Sequence, residues 1–244
     1  MSAAAAPPSL GPHPGSMPGG PGCHGIVSKD DVDDGTHAPF DVFSTVGTVL
    51  DQGFCICDEF LSPEEVGTIR TAMDSEVPIT TMKAIGTETS KTLRAHNLLA
   101  KTRACDFVFL DKRLRAVVKG VVGPLVQVNV TTLFNTLPGE KSQFFHRDDG
   151  LWPMPRPHPS LLCNALFAID DFDEKNGATT IVPYSHKMFD QQPPVPSRKN
   201  GTDGSHPDQI QLSMKSGSVV FWESGLWCVV WRNDHFLMRN DEGQ

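Results

Sequence analysis

The sequence predicts a mainly β domain, an antiparallel barrel or sandwich with helices packed around it. Three observations carry this. From Pro124 onward the chain breaks into short apolar, β-branched runs separated by turn signals, whereas two segments before that point carry helix start and stop signals. A length of 244 residues suits one such domain with a sizeable core.

Residues 1–38 are dominated by Ala, Pro and Gly, with an acidic patch from Asp30 to Asp34. Such a stretch cannot bury enough apolar surface to offset its ordering entropy, and a disordered tail is expected. Folding begins near Phe40, and residues 39–123 form the helical, flanking part of the domain. Ser62-Pro63-Glu64-Glu65 is a helix start, with Ser as N-cap, Pro at the first position and carboxylates in the first turn, and the helix runs to about Ser75. A second helix is expected from Asp111 to Gly120, with Leu114, Val117 and Val118 on one face. The first strand spans Leu125 to Leu137, closed by Pro138-Gly139. Others follow at Leu161 to Ile169, Thr179 to Val182, Gln209 to Met214 and Ser218 to Trp222, with Asn176-Gly177 and Ser216-Gly217 as turns. Gln191 to Pro207, rich in Pro, Gly and Ser, is a surface excursion, and there is no internal repeat.

A net charge of −8 and a pI near 5.5 argue against nucleic acid as a partner, because a phosphate backbone demands a basic face. A small-molecule substrate is the better expectation. No apolar run approaches the roughly 18 residues of a membrane span, and the beginning resembles neither a secretory signal nor an Arg-rich transit peptide. The expectation is a cytoplasmic protein without membrane partners. Six cysteines lie scattered, several in apolar segments, as in a reducing compartment. Cys55-Ile56-Cys57 is one C-x-C without a second pair and reads as core rather than as a zinc site.

Phe144-Phe145-His146-Arg147-Asp148-Asp149 places a His and a carboxylate two residues apart at the end of an apolar run. Side chains at i and i+2 of an extended segment share a face, so His146 and Asp148 can grip one metal ion. That is half of a 2-His-1-carboxylate triad, which holds non-haem Fe(II) with positions left open.

The context is larger than the pair. Upstream stands Leu133-Phe134-Asn135-Thr136-Leu137-Pro138-Gly139. Downstream stand Asn176-Gly177-Ala178-Thr179-Thr180-Ile181-Val182-Pro183-Tyr184-Ser185-His186-Lys187 and then Lys215-Ser216-Gly217-Ser218-Val219-Val220-Phe221-Trp222. This succession resembles the phytanoyl-CoA dioxygenase family, in which H-x-D, N-G-x-x-x-x-x-P-G-S-H-K and G-D-x-x-x-F recur in that order. The resemblance covers roughly Val42 to Trp227. It implies a double-stranded β-helix, a jelly-roll, cupin-like barrel whose mouth holds Fe(II) and 2-oxoglutarate. It also implies oxidative decarboxylation of 2-oxoglutarate by O2, coupled to hydroxylation of an unactivated C–H bond, with ascorbate as an optional reductant.

In the family the histidine of P-G-S-H-K belongs to a loop, so the resemblance makes His186 no ligand. Tyr184 stands where that loop usually has Gly. The distal His falls eleven residues after the Gly of G-D-x-x-x-F, and counting from Gly217 leads to Cys228. Eleven further residues lead to Arg239 as the anchor for 2-oxoglutarate, with Asn233 where some members carry Asn. Val229 to Met238 lacks the small-residue stretch that follows the distal His in the family. Residues 228–244 are therefore an atypical C-terminal tail, foreign to the family as after intron read-through or a frameshift, or else a divergent working end in which Cys228 or His235 completes the site.

Asn135 and Gln143 are candidates for contact with 2-oxoglutarate. Trp152, Pro153, Arg156 and His158 form a Pro-rich loop after the metal motif, which makes Trp152 and Arg156 candidates for substrate contact. Lys91, Arg94, Lys101 and Arg103 make a basic cluster that reads as a solvated face or an anion handle. Asp170, Asp171, Asp173 and Glu174 read as a solvated turn. The expected function is an Fe(II)/2-oxoglutarate-dependent dioxygenase of a small organic or acyl substrate, impaired by Cys228. The alternatives are an inactive relative that binds a small molecule or protein, or a metal-dependent cupin without 2-oxoglutarate. Substrate and oligomeric state are not written in these motifs.

Overall fold

The computed structural model describes residues 40–84, 91–140, 145–189 and 206–230. The expected N-terminal tail, most of the 191–207 excursion, and Gln143, Asn233, His235 and Arg239 lie outside the described residues.

Helix α1 (Val42–Gln52) starts where the Asp41 carboxylate accepts from the Ser44 N–H at 2.9 Å, and it ends at Gly53 with φ 95°. That glycine is required twice. A left-handed φ strains other residues, and a Cβ there would lie 2.4 Å from Leu226 Cδ1 and 2.7 Å from His186 Nδ1. Strand β1 (Phe54–Cys57) follows, then α2 (Pro63–Ser75), whose start is the predicted one: Ser62 and Glu65 form a reciprocal capping box. Strands β2 (Lys83–Ala84) and β3 (Thr92–His96) lead to a short α3 (Asp106–Leu110). Helix α4 (Lys112–Val122) is capped by the Asp111 carboxylate, and β4 (Thr132–Thr136) comes next. The remaining strands are β5 (Cys163–Phe167), β6 (Thr179–Val182), β7 (Ile210–Gln211), β8 (Val219–Glu223) and β9 (Trp227–Val230). Three strands, β1 to β3, thus fall within the part expected to be helical and flanking, and the strand content extends past residue 227 to Val230.

The strands form three antiparallel sheets ordered β1-β8-β5, β7-β6-β9 and β2-β3-β4. The first is buried on both faces, so Val219-Val220-Phe221-Trp222 reads as a continuous apolar run rather than an alternating one. Val219 and Phe221, with Cys55 and Cys57 from β1, pack toward the helices against Val49, Phe60, Val66, Ile69 and Val117. Val220 and Trp222, with Phe54, Ile56 and Leu166, face inward against Ile181 and Cys228 of the second sheet and Leu212 just after β7. The two inner faces enclose the barrel interior, and the metal motif lies at its edge. Cys55 and Cys57 are core residues, as expected. No helix among the described residues is long and apolar enough to cross a membrane.

The first predicted strand is shorter than expected, because ladder pairing covers only Thr132–Thr136. Leu125, Val126, Val128 and Val130 are exposed and outside any described strand. The basic cluster resolves into separate contacts: the Arg94 guanidinium lies over the Phe134 ring at 5.4 Å, Arg103 pairs with Asp106, and Lys91 Nζ donates to the Pro138 carbonyl at 3.3 Å. Asp170 and Asp171 sit on the surface, paired with Arg70 and Lys215 at 2.8 Å each.

Tyr184 adopts the left-handed conformation at φ 63°, ψ −1°. For a residue with a Cβ this costs about 1–2 kcal/mol. Tyr184→Gly is therefore expected to be more stable than Tyr184→Ala by about 1 kcal/mol, as read by chemical denaturation, because only glycine relieves the strain. Equal stabilities would show that the turn relaxes instead.

Candidate metal centre

His146 and Cys228 are directly opposed across a hydrogen-bonded antiparallel pair. The His146 N–H donates to the Cys228 carbonyl at 3.0 Å, and the Cys228 N–H donates back at 2.9 Å. Residues so paired put their side chains on the same face. Asp148 follows at the start of a 3-10 turn, Asp148–Leu151. Three donors converge as a result. His146 Nε2 lies 3.6 Å from Asp148 Oδ1, and Cys228 Sγ lies 3.9 Å from His146 Nε2 and 4.0 Å from Asp148 Oδ2. Among the described residues this is the group of His, Cys, Asp and Glu donors arranged to hold one ion.

Both ligand segments are held from behind. Arg147, between the two ligands, alternates to the opposite face, where Nη2 donates to the Ser185 carbonyl at 2.8 Å and the guanidinium stacks on Trp227 at 4.4 Å. The Ser185 hydroxyl accepts from the Trp227 N–H at 2.8 Å, and Ser185 is wholly buried. The Ser of the S-H-K loop thus braces the residue before Cys228 and the residue between His146 and Asp148. His186 itself is no ligand. Nε2 meets the Leu50 carbonyl at 3.1 Å at the end of α1, and burial lowers its pKa from the usual value.

Asp148 is oriented from the inner face of the first sheet. Its Oδ2 accepts from Asn164 Nδ2 at 2.8 Å and from Trp222 Nε1 at 3.0 Å, which turns Oδ1 toward His146. Sequence reasoning missed both donors. Asn164 alone left a trace, as the one amide in the apolar run Cys163–Phe167. Burial, and then the charges of Asp148 and Asp149, push the Cys228 thiol well above its ordinary pKa in the metal-free protein.

Arg156 does not face outward. Its side chain is 8% exposed and pairs with that of Asp149, which is 0% exposed; His158 Nε2 approaches the same carboxylate at 3.5 Å. Asp149 also reaches the turn between β8 and β9, where its N–H donates to the Ser224 carbonyl at 3.3 Å. Glu223 completes the group, with its pKa raised chiefly by burial and its Oε2 accepting from the Gly225 N–H at 2.8 Å. Leu151, Trp152 and Met154, by contrast, are exposed on the loop that these contacts root. Asn135 remains on β4 in register with Leu93, in a sheet that shares no described ladder with the sheet carrying Cys228.

The sequence profile of phytanoyl-CoA dioxygenase (PhyH) matches residues 49–227, most of the chain. The chain belongs to the phytanoyl-CoA dioxygenase family. Among family relatives, dioxygenase trt7 of Aspergillus terreus is 24% identical over 193 residues, covering 72% of this chain and 63% of trt7. Dioxygenase olcK of Penicillium canescens is 34% identical over 94 residues, covering 36% of this chain and 28% of olcK. The chain spans less than two thirds of the length of these relatives. HygX from Streptomyces hygroscopicus, solved with nickel, 2-oxoglutarate and hygromycin B, superposes with a TM-score of 0.62 at 18% identity, covering 78% of this chain and 81% of HygX. These likenesses establish the fold as a double-stranded β-helix, a cupin-like jelly roll.

Proposed function

We propose that this chain is an Fe(II)/2-oxoglutarate-dependent dioxygenase of a small organic or acyl substrate, with turnover depressed by Cys228. The observation that carries the reading is the convergence of His146, Asp148 and a third donor in a barrel of this family. The nickel, 2-oxoglutarate and hygromycin B bound in HygX support the same assignment here. When bound, Fe(II) and 2-oxoglutarate supply an oxidant able to attack an unactivated C–H bond, and the protein supplies position and exclusion of water.

The chain's own groups match that chemistry in part. His146 and Asp148 offer one nitrogen and one oxygen, and Asn164 and Trp222 fix which carboxylate oxygen is offered. Among the described residues no second imidazole joins them, and the Cys228 thiol stands there instead. Arg147 is engaged by Ser185 and Trp227 and Arg156 by Asp149; Arg239, the position that the family spacing indicates, is the proposed anchor of the 2-oxoglutarate carboxylate. Leu151, Trp152 and Met154 present an apolar rim suited to an uncharged part of the substrate.

The test is anaerobic titration with Fe(II) and 2-oxoglutarate, read by the visible charge-transfer band of the chelated 2-oxoglutarate and by succinate formation in air. Cys228→His is expected to bring up the band and raise succinate formation at least tenfold over the wild type (about 1.4 kcal/mol). If neither protein gives band or succinate, the oxygenase reading fails and a non-catalytic binding role takes its place; Cys228 is the observation that favours that second reading.

A further inference from the structure

The three donors differ from one another: one imidazole nitrogen, one carboxylate oxygen, one sulfur. We propose that the His146–Asp148–Cys228 site selects a thiophilic divalent ion of the zinc type over Fe(II), so that Cys228 changes the metal preference of the centre rather than merely weakening it. The inference rests on the same three-donor site as the oxygenase reading, but not on 2-oxoglutarate turnover.

Donor chemistry is the first support. Thiolate favours zinc, whereas non-haem Fe(II) with open positions is held by two imidazoles and a carboxylate. Nitrogen, oxygen and sulfur are the ordinary donors of zinc.

Geometry is the second support. Bonds of about 2.0–2.3 Å at tetrahedral angles put zinc donors about 3.3–3.6 Å apart. Right angles at octahedral bonds of about 2.1 Å would put them about 3.0 Å apart. With Asp148 Oδ1 as the ligand oxygen, the separations from His146 Nε2 are 3.6 Å to Oδ1 and 3.9 Å to Cys228 Sγ, at or a few tenths beyond the tetrahedral set and further from the octahedral one. The backbone pair joining residues 146 and 228 sets the first and third donors side by side on one face.

The surroundings are the third support. Asp148 Oδ2 is taken by Asn164 and Trp222, which leaves Oδ1 as a single-atom ligand. Cys228 is 4% exposed and shielded from bulk oxidants, while the His146 side chain is 46% exposed. Three protein donors with one solvent-facing side describe a zinc centre with a fourth position open to water or a small anion, unlike the closed four-ligand structural kind.

The experiment uses the full chain, freed of metal by chelation and kept reduced and anaerobic. Loading with Co(II), a spectroscopic stand-in for zinc, is expected to give the near-ultraviolet thiolate-to-cobalt band together with the strong visible absorption of a tetrahedral ion. Cys228→Ser should lose the ultraviolet band, with circular dichroism confirming that it is folded. Competition between Zn(II) and Fe(II) should then give a zinc-to-iron preference at least about tenfold greater in the wild type than in Cys228→His, or about 1.4 kcal/mol. A cobalt spectrum without the thiolate band, or equal preferences in wild type and Cys228→His, overturns the proposal. Failure of the oxygenase reading looks different: iron-loaded Cys228→His would show no 2-oxoglutarate band whatever the cobalt spectrum of the wild type.

Discussion

Asp149→Ala is expected to lower stability by about 3–5 kcal/mol, the loss typical when one partner of a buried ion pair is removed. The Asp149 side chain is 0% exposed, and the Arg156 side chain left behind is 8% exposed, with His158 beside it. For a domain of this size the loss corresponds to a fall of about 6–20 °C in thermal midpoint. The double variant Asp149→Ala/Arg156→Met should recover much of it, since no charge is then stranded in the interior. A single variant that melts within about 2 °C of the wild type would show that the group is solvated and structurally idle.

The second large effect concerns affinity rather than stability. Trp222→Phe removes the Nε1–H that donates to Asp148 Oδ2 at 3.0 Å and leaves the ligands themselves in place. Outer partners of metal ligands are commonly worth 10–100-fold in affinity. Divalent-ion binding by calorimetry is expected to weaken by roughly that factor, with far-ultraviolet circular dichroism unchanged. An affinity within about twofold of the wild type would mean that Asn164 alone orients the carboxylate.

What the sequence made legible was local. Ser62 and Glu65 announce α2 because a capping box is a four-residue pattern, and β6 was delimited to Thr179–Val182 by the turns on either side. His146 and Asp148 stand out because two residues of extended chain suffice to put them on one face. Everything that orients them is distant. Asn164 reaches Asp148 across 16 residues, Trp222 across 74, and Arg147 reaches Ser185 across 38. No spacing rule announces such contacts. Arg156 was read as a rim residue because its loop follows the metal motif; its inward turn was decided by a buried carboxylate whose burial no local pattern reveals. Leu125 to Val130 failed in the opposite way, since it has the composition of a strand but no described partner, and a ladder needs two members. β1 is four residues with no alternation, covered on both faces, and so gave no periodic signal.

The pairing of His146 with Cys228, 82 residues apart in the chain, makes the site a property of the folded state alone. An unfolded chain holds those donors together only at the entropic cost of closing the loop between them. An ion that binds them therefore favours the native side of the equilibrium by mass action, by about 2.7 kcal/mol at a free concentration one hundred times its dissociation constant. The choice among zinc, cobalt and iron can thus be ranked by the denaturation curves they produce, with no substrate and no turnover required.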